Sequence, residues 1–377
     1  MIWGQDGFSI KGYRRLMALE ETKNSGPVPL STSSQGSHPS DEAEKNGRPL
    51  SGRMKTGMTL FALAGIALAT ALILYFGSAQ VGEAFLTAGW RGLAAMTGVY
   101  FASLILCALA WRCLIIEPHR NATLLCHWAR LLRDSVANIL AVVPAAGEVV
   151  AARELSIYGL SPGAAGATTV VDLTMEIVSL ILFALVGLAI LSWQQPGESI
   201  AWWSLGALAV SAVAMAGFIA AQRGGLFRFL ETLADRLGLT APWSEPDQSR
   251  SIHAGINDIY HAPSRPISSA GLHFVAWIVG SGEAWLALSF MGHPLDFSDV
   301  LVIESLLLSL RMAVFVPWAA GVQEGGYVAL GALFGLGPDI ALGLSLLKRA
   351  REVLTGVPCL LVWQALETRR LWRASRR

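Results

Sequence analysis

The sequence predicts an all-α polytopic membrane protein built as an inverted repeat, each half holding three transmembrane helices and one re-entrant hairpin. Three observations carry this expectation. Hydrophobic residues fill 53% of the 377 positions and charged residues only 15%, against about 25% charged in an ordinary soluble domain. Apolar stretches long enough to cross a bilayer recur along the chain, and two broken apolar stretches stand in matching positions of its two halves. This much apolar surface exceeds what a soluble core takes up, because the buried fraction saturates with size. The composition therefore excludes a soluble enzyme, a nucleic-acid binder and a disordered scaffold. A net charge of +1 implies no electrostatic partner.

The elements follow in order. Residues 1–52 form a cytoplasmic tail; its first 50 residues hold six Lys/Arg and six Asp/Glu in a Ser/Gly/Pro-rich setting. Too few apolar residues are present to offset ordering entropy, so the tail is expected to be disordered. A start at Met54 is the alternative reading. A span needs about 20 mostly apolar residues. In the first repeat, 53–197, these are 57–77, then 92–111 between Arg91 and Arg112, then 166–197. In the second, 198–366, they are 199–222, then 267–291 carrying Glu283, then 339–366. A basic cytoplasmic tail, 367–377, ends the chain.

Two apolar stretches are too interrupted to cross cleanly. Pro144, Gly147 and Glu148 break 135–158; Glu304, Arg311, Pro317 and the glycines Gly321, Gly325 and Gly326 break 300–337. Proline removes a backbone donor and glycine permits a sharp turn, so both stretches read as re-entrant hairpins. Loop charge agrees, since Lys and Arg favour the cytoplasmic side. Arg53 and Lys55, the group Arg112, Arg120, Arg130 and Arg133, the 223–265 loop and the C-terminal arginines all face the cytoplasm only if neither hairpin crosses. Within that loop, 223–240 alternates Leu and Phe with charges as an amphipathic interfacial helix.

A single constant shift of the chain on itself places Glu148 on Glu324, Gly159 on Gly335, Leu160 on Leu336, Pro162 on Pro338, Ala165 on Ala341 and Glu176 on Glu352. Element order matches between the halves and membrane orientation is opposite, the plan of many secondary transporters with sites at the repeat interface. The candidate pathway residues follow. Glu148 and Glu324 stand at the hairpin tips, where a carboxylate either binds a cation, proton or backbone donor, or caps the half-helix that it begins. Asp172 and Glu176 share a helix face, and Lys348 and Glu352, flanked by Arg349 and Arg351, occupy the equivalent face. Asp172 and Glu176 are expected to meet Lys348 and Arg351 across the interface, in a structural ion pair or a substrate site. Arg153, Arg311 and Arg349 are further cations able to receive an anionic head group.

The remaining inventory is short. No paired-histidine motif, Walker A motif or G-x-S-x-G elbow occurs, so neither metal nor cofactor is expected and no catalytic residue is assigned. Cys107, Cys113, Cys126 and Cys359 lack C-x-x-C spacing and read as small buried hydrophobes.

The runs Pro144-Ala-Ala-Gly-Glu148 and Gly321-Val-Gln-Glu-Gly-Gly326, with Leu336-Gly-Pro338, resemble the flippase-like superfamily, the transmembrane region of lysylphosphatidylglycerol synthases. Glu148-Val-Val-Ala-Ala-Arg153-Glu154-Leu155, Val171-Asp172-Leu173-Thr174-Met175-Glu176 and Leu346-Leu-Lys348-Arg349-Ala350-Arg351-Glu352 look most like the hopanoid-biosynthesis-associated membrane protein. The resemblance covers roughly 55–366. It implies a multi-pass bacterial inner-membrane protein, both termini cytoplasmic, that moves or hands over hopanoid or a related lipid without its own ATPase. It does not imply lysyl transfer, because no aminoacyl-transfer domain follows Arg377. Its implied partners are membrane lipid and other lipid-biosynthesis or transport proteins. The alternatives are an intramembrane lipid-modifying enzyme and a non-transporting partner of a lipid-biosynthesis complex.

Overall fold

Apolar runs at membrane depth fold as helices because each backbone N–H and C=O there needs an internal partner. A computed structural model of the chain describes residues 78–139, 146–194, 246–313 and 322–374. The expected spans 57–77 and 199–222, both tails' extremities, the 223–240 helix, Pro144, Pro317 and Gly321 lie outside these residues.

Nine helices and no strand occur among the described residues: α1 (Ser78–Leu114), α2 (Ala122–Ile139), α3 (Ala146–Ile157), α4 (Pro162–Gln194), α5 (Pro246–His261), α6 (Ser264–Phe290), α7 (Phe297–Ala313), α8 (Val322–Ala332) and α9 (Pro338–Ala374). Three are long and apolar enough to cross a membrane, over Leu86–Leu114, Pro162–Gln194 and Ser264–Phe290. They contain most or all of the expected spans at 92–111, 166–197 and 267–291. α9 contains the expected 339–366 and continues to Ala374 with Pro358 inside it. α1 breaks at Gly89, whose φ of 66° and ψ of 172° are not helical.

Each broken stretch is a pair of short helices. α2 has 18 residues and α3 has 12; α7 has 17 and α8 has 11. The first pair starts at Ala122 rather than at the expected 135. Buried Leu125, Ala129, Leu132, Val136 and Ile139 recur at helical spacing, a stripe that Arg130 and Arg133 disguise as a basic loop. Those two arginines are buried, so they do not belong among the exposed cytoplasmic charges.

Helix boundaries recur with the sequence offset that superposes Glu148 on Glu324. Leu114 and Phe290 end α1 and α6, Ala146 and Val322 begin α3 and α8, and Pro162 and Pro338 begin α4 and α9, and all three pairs share that offset. The turns that precede α4 and α9 match in detail. Leu160 N–H donates to Leu155 O at 3.1 Å, and Leu336 N–H donates to Gly331 O at 3.0 Å. This six-to-one bond closes a helix when the intervening residue is left-handed. Gly159 (φ 114°) and Gly335 (φ 77°) supply that residue.

Packing brings the short pairs against the long helices. α2 and α3 pack on each other, α3 on α4 and α2 on α9; α7 and α8 pack on each other, α7 on α4 and α8 on α9. Gly147 lets α3 approach α2 closely: a Cβ there would lie 2.6 Å from the Arg133 carbonyl oxygen. Among the described residues, one apolar core around Trp111, Ala151 and Leu155 lies within the first half, while the core around Ile303, Tyr327 and Leu344 also takes in Ala88 and Met96 of α1.

Candidate functional site

The polar residues inside these helices gather into three buried ionic clusters. The first joins α2, α3, α4 and α6. Arg130 forks onto Glu176, with Nη1 2.9 Å from Oε2 and Nη2 2.6 Å from Oε1. Arg133 donates to three carboxylates at once: Glu148 at 3.2 Å, Asp172 at 3.1 Å and Glu176 at 2.8 Å. The other Asp172 oxygen lies 2.9 Å from His273 Nε2 on α6. Both His273 and Asp172 are fully buried. Asp134 completes the group, 3.2 Å from Arg130 Nε.

The second cluster joins α6, α7, α8 and α9. Glu304 accepts from Tyr327 Oη at 2.5 Å and from Lys348 Nζ at 2.7 Å. Glu324 accepts from Arg349 Nη2 at 3.2 Å and from Ser345 Oγ at 3.3 Å. Gln323 donates to Ser345 Oγ at 2.9 Å. Glu352 lies 3.9 Å from Arg349. Arg351 forks onto Glu283 at 2.7 and 3.2 Å, with its guanidinium 4.2 Å from the Tyr100 ring centre.

The third ties α3 to the far end of α9. Glu154, with no exposed side-chain surface, accepts from the Trp128 indole at 3.3 Å, the Trp363 indole at 3.2 Å and Arg370 Nη1 at 2.9 Å. Arg153 forks onto Glu367 at 3.3 and 2.5 Å. Burial acts to raise the Glu367 carboxyl pKa, but the hydrogen bonds and charge of Arg153, then those of Arg370, hold it below its usual value.

The pairing expected from the sequence is corrected here. Asp172 and Glu176 do not meet Lys348 and Arg351; they meet Arg130 and Arg133 of their own half. Lys348 meets Glu304 and Arg351 meets Glu283, also within their half. The reason is proximity. α2 packs on α9 and α7 on α4, yet the long Arg130 and Arg133 side chains reach Asp172 and Glu176 on α4, and Lys348 on α9 reaches Glu304 on α7 in the equivalent way. Asp172 and Lys348 occupy equivalent positions with opposite charge, and each draws its counter-ion from the equivalent short helix.

Glu148 and Glu324 stand in the first turns of α3 and α8, where the helix dipole favours negative charge. Both also have an arginine partner, which sequence reasoning did not find. Their side chains keep 22% and 16% exposure, more than the 7% or less of Asp172, Glu176 and Glu304. Arg311 lies in the last turn of α7 and is an electrostatic neighbour of Tyr327. Gly325 is exposed and Gly326 is buried against Leu307. Reasoning from sequence missed Arg130, Arg133, Glu154 and His273 as site members. It noted Glu283 and Glu304 only as interruptions; a lone carboxylate in an apolar run was the available signal.

Among the described residues no group of three His, Cys, Asp or Glu side chains suits a metal ion, and the four cysteines are free thiols. A family model for the lysylphosphatidylglycerol synthase TM region matches residues 62–358. No curated protein matches the chain, and no solved structure matches it.

Proposed function

The chain belongs to the lysylphosphatidylglycerol synthase TM-region family and is a membrane protein, and from this we propose that it moves a lipid, or hands one over, within the bacterial inner membrane. The cargo in this reading is hopanoid or a related lipid, and the protein has neither an ATPase nor a catalytic centre of its own. The observation that supports it best is the pair of ionic clusters, each built where a short helix pair packs on a long helix, at positions that recur with one constant sequence offset. Ionisable groups within apolar segments are costly and mark pathways more often than chance. In our reading the two halves are inverted repeats, α2–α3 and α7–α8 are re-entrant hairpins, and both termini are cytoplasmic. Broken helices at equivalent places in two inverted halves are where such proteins place their sites.

Reconstitution tests this. Proteoliposomes carry a head-group-labelled hopanoid polyol, and leaflet exchange is followed by quenching from outside. Exchange above protein-free vesicles with the lipid chemically unchanged is the expected result. Recovery of a modified lipid would make the protein an intramembrane enzyme. Neither exchange nor modification would leave it a non-transporting partner of a lipid-biosynthesis complex.

A further inference from the structure

A groove of about 430 Å³ opens between α1, α2 and α9. Thr97 and Phe101 of α1, Leu131 of α2, and Leu354, Thr355 and Cys359 of α9 form most of its wall. The surface is almost entirely carbon. Both α1 residues lie within Leu86–Leu114, a stretch long and apolar enough to cross a membrane. The groove is therefore at hydrocarbon depth, where the surrounding solvent is lipid chain and a carbon-lined groove takes up a chain.

One end of the groove is different. Residues three or four apart are neighbours on a helix surface. One turn from Thr97 is Tyr100; one turn from Leu131 is Asp134; one turn from Leu354 and Thr355 is Arg351. These three residues converge. Arg351 stacks 4.2 Å from the centre of the Tyr100 ring, and Asp134 is an electrostatic neighbour of both. Arg351 is already engaged by both oxygens of Glu283. Asp134 is not so engaged. Its ion-pair contact is Arg130 Nε at 3.2 Å, and that N–H has no aligned acceptor, so charge proximity rather than a hydrogen bond links them. The Asp134 side chain retains 21% exposure, and an ionised carboxylate offers about four acceptor positions.

We infer that the groove seats the hydrocarbon chain of a membrane lipid and that Asp134 receives that lipid's hydrogen-bond-donating head group, a hydroxyl or a primary ammonium. This deepens the lipid-handling reading above and rests on it. A phosphate head meets like charge at Asp134 and gains nothing from Arg351, whose fork is filled. A donor head supplies what the open carboxylate positions lack.

The test uses the full chain in nanodiscs and lipids with a photoreactive group midway along one chain. Three head groups are compared: a neutral polyol, a primary ammonium and a trimethylammonium, which keeps the charge but has no N–H donor. The polyol and primary-ammonium lipids should label peptides containing Phe101 and Leu354 at least about tenfold more than the trimethylammonium lipid. Asp134→Asn should bring the three within about twofold, and Thr355→Trp, which fills the groove, should abolish labelling by all of them. If Asp134→Asn does not fold, competition by unlabelled polyol and trimethylammonium lipids against the label on unmodified protein reads the same ranking. Equal labelling by all three lipids in the unmodified protein overturns the assignment and leaves ordinary boundary lipid. A disulfide between a cysteine placed in 57–77 and one at position 354 overturns it too, because the chain itself then covers the groove. Selective labelling without leaflet exchange keeps the lipid seat and refutes transport; exchange without selective labelling does the reverse.

Discussion

Arg133 is the most connected cation in the first cluster, so Arg133→Met tests whether the cluster holds the helices together. The methionine keeps an apolar stem of similar length and removes donors to Glu148, Asp172 and Glu176. Asp172 then keeps His273 at 2.9 Å and Arg130 at 3.9 Å, while Glu148 loses its arginine. Removing one member of a buried pair costs roughly 3–5 kcal/mol because the remaining charge stays buried. The loss should be read as a fall of about that size in unfolding free energy in mixed micelles. A cycle with Asp172→Asn adds the sharper test. Residues in one network couple by about 0.5–3 kcal/mol, and distant ones by less than about 0.5. Asp172 should couple to Arg133 by at least about 1 kcal/mol and to Lys348 by no more than the distant-pair limit. A fall below about 1 kcal/mol for Arg133→Met, or strong coupling of Asp172 to Lys348, would refute the pairing described above.

Four further outcomes follow. Glu148→Gln and Glu324→Gln should keep normal membrane levels and lose only about 1 kcal/mol of stability, because both carboxylates are partly exposed, while lipid transfer falls at least about tenfold, which needs only about 1.4 kcal/mol on a barrier; full transfer in both would leave the glutamates as structural partners of Arg133 and Arg349. Gly159→Ala and Gly335→Ala force an L side chain into the left-handed region, so each should lower unfolding free energy by about 1–2 kcal/mol, and unchanged stability would contradict the turn geometry. Glu367 titrates below its ordinary value in the folded protein, so its stabilisation is present above the unfolded pKa of about 4.3 and lost as pH falls through the folded value; the stability gap between wild type and Glu367→Gln should close over that acidic window, and a gap independent of pH would reject the Arg153 and Arg370 contacts. Cysteines placed at 250 and 373 should resist a membrane-impermeant thiol reagent added outside intact cells, and ready labelling at either removes the six-span, two-hairpin topology.

Fold class was legible because it depends on composition and apolar run length, which any window of the sequence exposes. The run 92–111 sits within a helix, 267–291 gives one up to Phe290 and 166–197 gives one up to Gln194, because a long apolar stretch has no other way to satisfy its backbone in an apolar medium. The constant offset between the halves was visible through Gly159 and Gly335, whose left-handed turns admit little but glycine, and through the prolines that begin α4 and α9. α2 was hidden because its apolar stripe is interleaved with Arg130, Arg133 and Asp134, which charge counting assigns to a loop. The counter-ions were hidden for a related reason. Sequence equivalence says which positions correspond, but not which helix lies nearest in space, and so it paired Asp172 with Lys348 when each had a closer partner on the short helix of its own half.

That arrangement bears on the lipid movement proposed above. Replacing buried ion pairs by well-packed apolar residues is often neutral or stabilising, so stability alone gives no reason to keep these clusters. Because Asp172 and Glu176 are satisfied by α2, and Lys348 by α7, the network inside each half survives displacement of one half against the other. Among the described residues few ionic links cross between them. His273 on α6 bonds Asp172 on α4, and Arg370 and Glu367 of α9 hold Glu154 and Arg153 of α3. If the transport proposed above proceeds by displacement of one half against the other, it has to break the α3–α9 clamp and the His273 contact, but it leaves Arg130, Arg133 and Lys348 paired. A transporter whose charges were paired across its halves would have to strip buried ions of their partners on each cycle, at several kcal/mol apiece. Pairing within each half avoids that cost for Arg130, Arg133 and Lys348, although α1 with α6, α2 with α9 and α4 with α7 also pack across the halves.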